Sequence, residues 1–256
     1  MITKKTKNEI DRMRVAGEIV ALSLKKVEEN ISPGVTTIEL DRIVEEFIRS
    51  KGAVPSFKGY KAAYFDIDDF PGSICSSINN EVVHGIPCLR ELKDGDIISV
   101  DIGAYINGFH GDAARTFSVG NISSEAQRLI DVTKKSFFEG IKYATSGKRI
   151  IDISGAIEDC VVKSGFSAVR EFVGHGIGRE MHEEPQIPNY RSKFQRARLD
   201  KGMTLAIEPM VNEGTHEIEV LDNGWTVVTL DKKLSAHYEN TIVVTEKEPL
   251  ILTMID

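Results

Sequence analysis

The chain has 256 residues, 41% of them hydrophobic and 28% charged, with a formal net charge of −7. That length can bury a sizeable core, and the composition is ordinary for a globular protein. The acidic balance argues against non-specific nucleic-acid binding. No apolar run is long enough to cross a bilayer. The lysines near Met1 are not followed by the apolar core of a signal peptide. Cys75, Cys88 and Cys160 are odd in number and lack CxxC spacing, so reduced thiols of a cytoplasmic protein are expected.

Residues 8–30 carry apolar side chains at helical spacing, among them Ile10, Met13, Ala16, Val20, Leu24 and Val27, and read as an amphipathic helix. Ser32-Pro33-Gly34 ends it. Thr36-x-x-Glu39 then reads as a capping box opening a second helix, through about Ser50 and stopped at Gly52. Residues 61–70 are acidic with no clear period. Asp66-x-Asp68-Asp69 lacks the glycine and terminal glutamate of a calcium loop, so a solvated loop is expected.

Ile97-Ile98-Ser99-Val100-Asp101-Ile102 alternates as a half-buried strand does. Asn107-Gly108 beyond it is a strong signal for a two-residue hairpin turn. With that turn, Asp112 faces Gly103 and shares a sheet face with Asp101. The two carboxylates become diagonal neighbours roughly 7–8 Å apart at the backbone. They would repel without a cation, and the spacing suits metal ions about 3.5–4 Å apart.

Ser124-x-x-Gln127 opens a third helix to about Tyr143, Ser146-Gly147 breaks it, and a fourth runs to Gly165. Sliding the first half by 113 residues lays Gly34 on Gly147, Ile38 on Ile151, Glu45 on Glu158 and Gly52 on Gly165. One domain of two pseudo-symmetric halves is inferred, about 5–120 and 121–250, with a site at their junction.

Three later segments carry further ligand candidates. Glycines flank His175 and let backbone approach whatever the imidazole binds. Glu208 ends the alternating run from Met203, and Pro209 stops pairing after it. Glu239 stands in a strand-like run of buried aliphatics, where an acid is rare without a partner. Four carboxylates and one imidazole suit a pair of Mn(II), Fe(II), Co(II) or Zn(II) ions. Such a pair would bring the pKa of a bound water toward 7. His110, His216 and His237 read as ordinary surface or core residues.

At this point the motifs form a recognisable set: Gly108-Phe109-His110-Gly111-Asp112, Gly174-His175-Gly176-Ile177-Gly178, Ile207-Glu208-Pro209-Met210, Tyr238-Glu239-Asn240-Thr241, and the run from Ser77 to Pro87. The chain resembles the type I methionine aminopeptidases, in their short bacterial form, from about residue 5 to 250. The resemblance implies the α+β pita-bread fold, an antiparallel curved sheet covered by helices in two related halves. It implies Asp101, Asp112, His175, Glu208 and Glu239 as ligands of two divalent ions, with Asp112 and Glu239 bridging. His182 would hold the scissile carbonyl, His84 the peptide amide, and Glu208 would also shuttle a proton. Tyr60, Phe70, Cys75, Met181 and Trp225 would line the methionine pocket. The implied substrates are N-termini of nascent polypeptides near the ribosome exit, handled by a monomer without nucleic-acid or membrane partners. An Xaa-Pro peptidase of the same fold and a non-catalytic peptide-binding relative are the alternatives.

Overall fold

Thr6 opens the first helix, α1 (Lys7–Asn30), through a capping box: its hydroxyl accepts from the Glu9 amide while Glu9 accepts from the Thr6 amide. The computed structural model describes residues 2–61 and 68–255. Thr36 and Glu39 cap α2 (Thr37–Ser50) in the way the sequence indicates. The third helix, α3 (Ser124–Ile141), is capped one residue earlier than expected, by Ser123, whose Oγ accepts from the Ala126 amide at 3.1 Å. The fourth is α4 (Ile150–Lys163).

The bounds of α2 and α4 lie one 113-residue shift apart. Gly34 and Gly147, which precede them, have φ of 94° and 95°; Gly52 and Gly165, which follow, have φ of 73° and 81°. The Gly34 amide donates to Leu92 O at 2.8 Å and the Gly147 amide to Leu199 O at 2.9 Å. Positive φ at four matched stops is the conformation that only glycine enters without cost.

In the first half, strand Ile97–Ile106 turns through Asn107 and Gly108, with φ of 56° and 85°, into strand Phe109–Ser118. The register pairs Gly103 with Asp112 and Asp101 with Ala114, as read from the turn. Strand Ile74–Ile78 joins the other edge and sets Cys75 opposite Asp101. In the second half, a five-stranded sheet runs in the order Leu250–Ile251, Asn240–Val243, Thr204–Ile207, Gly174–Gly176, Glu183–Ile187. The apolar faces bury α1 and α2 against the first sheet and α3 and α4 against the second.

The halves are joined by backbone. Val83 and Glu81 pair with Val227 and Val228 across the junction. Asp112 donates its amide to Thr241 Oγ1 at 3.0 Å and accepts that hydroxyl at 2.9 Å. The Glu239 amide donates to Ala114 O at 2.9 Å. The chain's end closes over this seam: the Leu252 amide donates to Thr241 O at 2.9 Å, and Thr253 Oγ1 to Asn240 Oδ1 at 3.0 Å. A side chain on Gly17 of α1 would overlap Leu252 O, and one on Gly111 would stand 2.9 Å from Gly17 N.

The acidic stretch falls partly outside the described residues, Asp66 included. Its base is closed where the Phe70 amide donates to Tyr60 O at 3.0 Å and Trp225 Nε1 donates to Asp68 O at 2.9 Å.

Candidate active site

Asp112 and Glu239 are carried into one place by the inter-half hydrogen bonds just described. Glu239 is not within a strand, contrary to the sequence reading; it sits in the break between strands Ser235–His237 and Asn240–Val243. That break turns its side chain out of the sheet core toward the junction. The guanidinium of Arg115 spans the break, donating to Glu239 O at 2.5 Å and to Asn240 Oδ1 at 2.8 Å. Strand Thr204–Ile207 likewise stops at Glu208-Pro209, which frees the Glu208 carboxylate from the pleat. His175 lies on the strand next to the central one of the second sheet, opposite Ala206.

Ligand atoms of Asp112, His175 and Glu239 all lie within 4.8 Å of one another, and the three residues are 3%, 7% and 1% exposed. His175 Nε2 is 3.5 Å from Glu208 Oε1. His175 Nδ1 donates to Gly176 O at 2.9 Å, which leaves the Nε2 lone pair for the cluster. Asp101 lines the same cavity. Asp101 Oδ1, Asp112 Oδ1 and Glu239 Oε1 are buried without a hydrogen-bond partner. Orphaned carboxylate oxygens are costly, and several facing one another are repulsive as well. Burial pushes the Asp101 carboxyl up to about 7. Burial first, and then the neighbouring carboxylates, pushes Asp112, Glu208 and Glu239 well above the usual range. Burial holds His175 down to about 3, a neutral imidazole. This donor set, hard oxygens plus one neutral nitrogen, fits a divalent metal.

A cavity of about 280 Å³ opens over the cluster. Tyr60, Phe70, Cys75, His84, His182 and Trp225 line it with the five acidic and histidine candidates. Phe70 stacks edge-on against Trp225 at 5.2 Å between centroids. His84 is held at φ 59° and packs against Phe172 at 5.4 Å. The Tyr60 hydroxyl meets His182 Nδ1 at 2.7 Å, and the His182 ring lies 4.3 Å from that of His175. Met181 is placed otherwise than the sequence reading expected: it is buried in the apolar cluster with Phe57, Phe70 and Cys75, and it faces the adjoining groove beside Gly59 and His182 rather than the cavity.

The sequence reading missed His237. It lines the cavity with Nε2 buried, without a partner, and 3.9 Å from both Glu208 Oε2 and Glu239 Oε2. Its position two residues before Glu239 was the available signal. Phe57 and Phe172 also line the cavity without having been singled out.

A model of metallopeptidase family M24 matches residues 11–246. Methionine aminopeptidases from Clostridium perfringens and Bacillus subtilis are 55% and 51% identical to this chain, each comparison covering 100% of both proteins. The chain belongs to the M24 metallopeptidases, among the methionine aminopeptidases. A solved methionine aminopeptidase from Thermotoga maritima superposes with a TM-score of 0.95 at 43% identity, covering 100% of both chains. An Xaa-Pro dipeptidase from Bacillus anthracis shares the fold at a TM-score of 0.74 and 21% identity, with 62% of its own length matched. The M24 pita-bread fold is therefore that of this chain. No helix among the described residues is long and apolar enough to cross a membrane.

Proposed function

We propose that this M24 methionine aminopeptidase removes the N-terminal methionine of nascent polypeptides whose second residue is small. The observation that carries the reading is the buried cluster of orphaned carboxylate oxygens at the floor of an apolar cavity. Asp101, Asp112, His175, Glu208 and Glu239 would hold two divalent ions, with Asp112 and Glu239 shared between them. Fe(II), Mn(II) or Co(II) suits these ligands, and Zn(II) is a further choice. Such ions lower the pKa of bound water toward neutrality and polarise the scissile carbonyl.

The chain's own groups supply the rest. Phe70, Cys75 and Trp225 clasp an unbranched thioether, with Tyr60 and Met181 supporting the wall. The Tyr60 hydroxyl lies 2.7 Å from His182 Nδ1; with the hydroxyl as donor the ring proton would stand on Nε2, where it would stabilise the developing oxyanion. His84 orients the peptide through its scissile amide. Glu208, with its carboxylate reached from the cavity, accepts a proton from the attacking water and delivers it to the leaving amine. His237 completes the polar floor.

We also read residues 5–120 and 121–250 as two copies of one unit within a single catalytic domain. The matched helices and glycine stops support this. We further read it as a cytoplasmic monomer that works close to the ribosome exit; three unpaired cysteines accord with a reducing compartment. The test is metal-stripped protein titrated with Fe(II), Mn(II), Co(II) and Zn(II) on a Met-Ala-Ser peptide and an Ala-Pro peptide. Turnover of the first alone is expected. Turnover of Ala-Pro alone would transfer the chain to the Xaa-Pro activity.

A further inference from the structure

We propose that Lys5 and Glu183 are positioning residues for His182, so that the start of the chain acts as a clasp on the active-site turn. The inference rests on the reading of His182 given above.

His182 sits at the end of a turn, residues 178–182, that leads into strand Glu183–Ile187. The turn is held from outside by the next residue. Glu183 Oε1 accepts the Arg179 amide at 2.8 Å and the Glu180 amide at 3.4 Å. Glu183 Oε2 accepts Lys5 Nζ at 2.5 Å and Thr3 Oγ1 at 2.7 Å. Lys5 Nζ also reaches Thr3 Oγ1. Both carboxylate oxygens are thus committed, one to the turn and one to residues 3–5. The Lys5 and Glu183 side chains are only 5% and 11% exposed, a depth at which lysine is rare unless paired. The Lys5 amide in turn donates to Gly202 O at 2.7 Å, tying the segment to the strand that leads to Glu208.

The second glycine of Gly176-Ile177-Gly178 has its explanation here. A side chain on Gly178 would overlap Lys5 Cε and stand 2.7 Å from Glu183 Oε1. Any side chain at this position would have to displace the lysine that passes over it. Neither Lys5 nor Glu183 lines the cavity, and Phe70, Cys75, Trp225 and the four acidic candidates lie on other segments; of the methionine-pocket candidates Met181 alone shares the turn, and it faces the adjoining groove. Releasing the clasp should therefore let His182 drift while leaving substrate binding and metal content intact.

The experiment is steady-state cleavage of Met-Ala-Ser by Mn(II)-loaded enzyme, full chain, with Mn(II) stoichiometry measured alongside. Lys5→Met is expected to lower kcat on the order of 10-fold to 100-fold, as a misplacement of about 1 Å does, with KM and bound Mn(II) unchanged. Lys5→Arg should recover most of kcat. In a His182→Ala background, Lys5→Met should change kcat little, because the group it positions is gone. Equal losses in both backgrounds, or a rise in KM with kcat intact, would overturn the clasp. A wild-type kcat for His182→Ala itself would instead overturn the role of His182, and the clasp with it. If Lys5→Met does not fold, Thr3→Val removes one donor to the same oxygen without stranding a charge; unchanged kcat there would also overturn the proposal.

Discussion

Asp112 and Glu239 illustrate how much a single side chain owes to its neighbours at this junction. Each is fixed by backbone hydrogen bonds from the other half, so its carboxylate arrives already aimed. In the proposed reading each bridges two ions, so replacing either by alanine is expected to abolish both activity and stoichiometric metal binding; retention of most activity in either variant would refute the bridging assignment. His182→Ala should separate the two properties. In the proposed reading it removes an oxyanion donor and leaves every metal-cluster candidate in place, so kcat should fall by roughly 10²–10³ with metal retained. Loss of metal in that variant would make His182 a ligand. At this scale the sequence was informative wherever an acid or histidine stood among residues that prefer burial, because such a residue needs a partner. Glu239 was legible for that reason, Asp101 and Asp112 through the register of the hairpin, and His175 and Glu208 through the glycines and the proline beside them; all five line one cavity. His237 was not, since a lone histidine has many ordinary uses and its approach to Glu208 depends on a chain break no local pattern announces. Met181 was misjudged in direction for a related cause: sequence places it beside His182 but does not say which way a turn residue points.

Among the elements, the hairpin was the most legible because its turn fixes its register. Asn107 and Gly108 both take positive φ, and a two-residue turn leaves one pairing. The helices were nearly as clear: apolar spacing marks α1, a capping box marks α2, and α3 is capped one residue and ends two residues before the positions expected. The short strands of the second half were less so. Many have only two to four residues, too few for alternation to declare itself, and their pairing partners are distant in sequence. How closely elements approach also escaped the sequence. The first helix crosses the hairpin and the chain's end with Gly17 against Leu252 and Gly111 against Gly17. Gly17→Ala is expected to destabilise the protein by about 1–3 kcal/mol, the usual cost of overpacking, seen as a lower Tm and a lower denaturant midpoint. An unchanged midpoint would mean that the helix can shift outward freely.

For the molecule as a whole, the acidic cluster makes metal content a determinant of stability. Without cations burial raises the Asp101 carboxyl to about 7 and pushes Asp112, Glu208 and Glu239 well above the ordinary carboxylate range, whereas the unfolded chain releases these protons at ordinary carboxylate values. The buried histidines act in the opposite sense. His175 and His237 stay neutral down to about 3 and His84 to about 4, so their contribution is lost as pH falls below about 6.5. The two effects oppose one another below about pH 6.5, and above it only the carboxyls remain. There the folded state binds more protons than the unfolded one, so stability must fall as pH rises. Metal-stripped protein should therefore show a Tm that declines as pH rises above about 6.5 through the Asp101 value of about 7, and excess Mn(II) should remove the decline. A flat or rising Tm in stripped protein would contradict the protonated cluster. The closing of the chain's end over Thr241 carries this further. Leu252 is bonded to Thr241, whose hydroxyl is bonded to Asp112, and Leu252 also rests on α1. Fraying of the last residues and loosening of a metal-cluster carboxylate are then one opening event. Amide hydrogen exchange at Leu252, which does not line the cavity, should slow when metal binds, which makes the tail a reporter of what the buried centre holds.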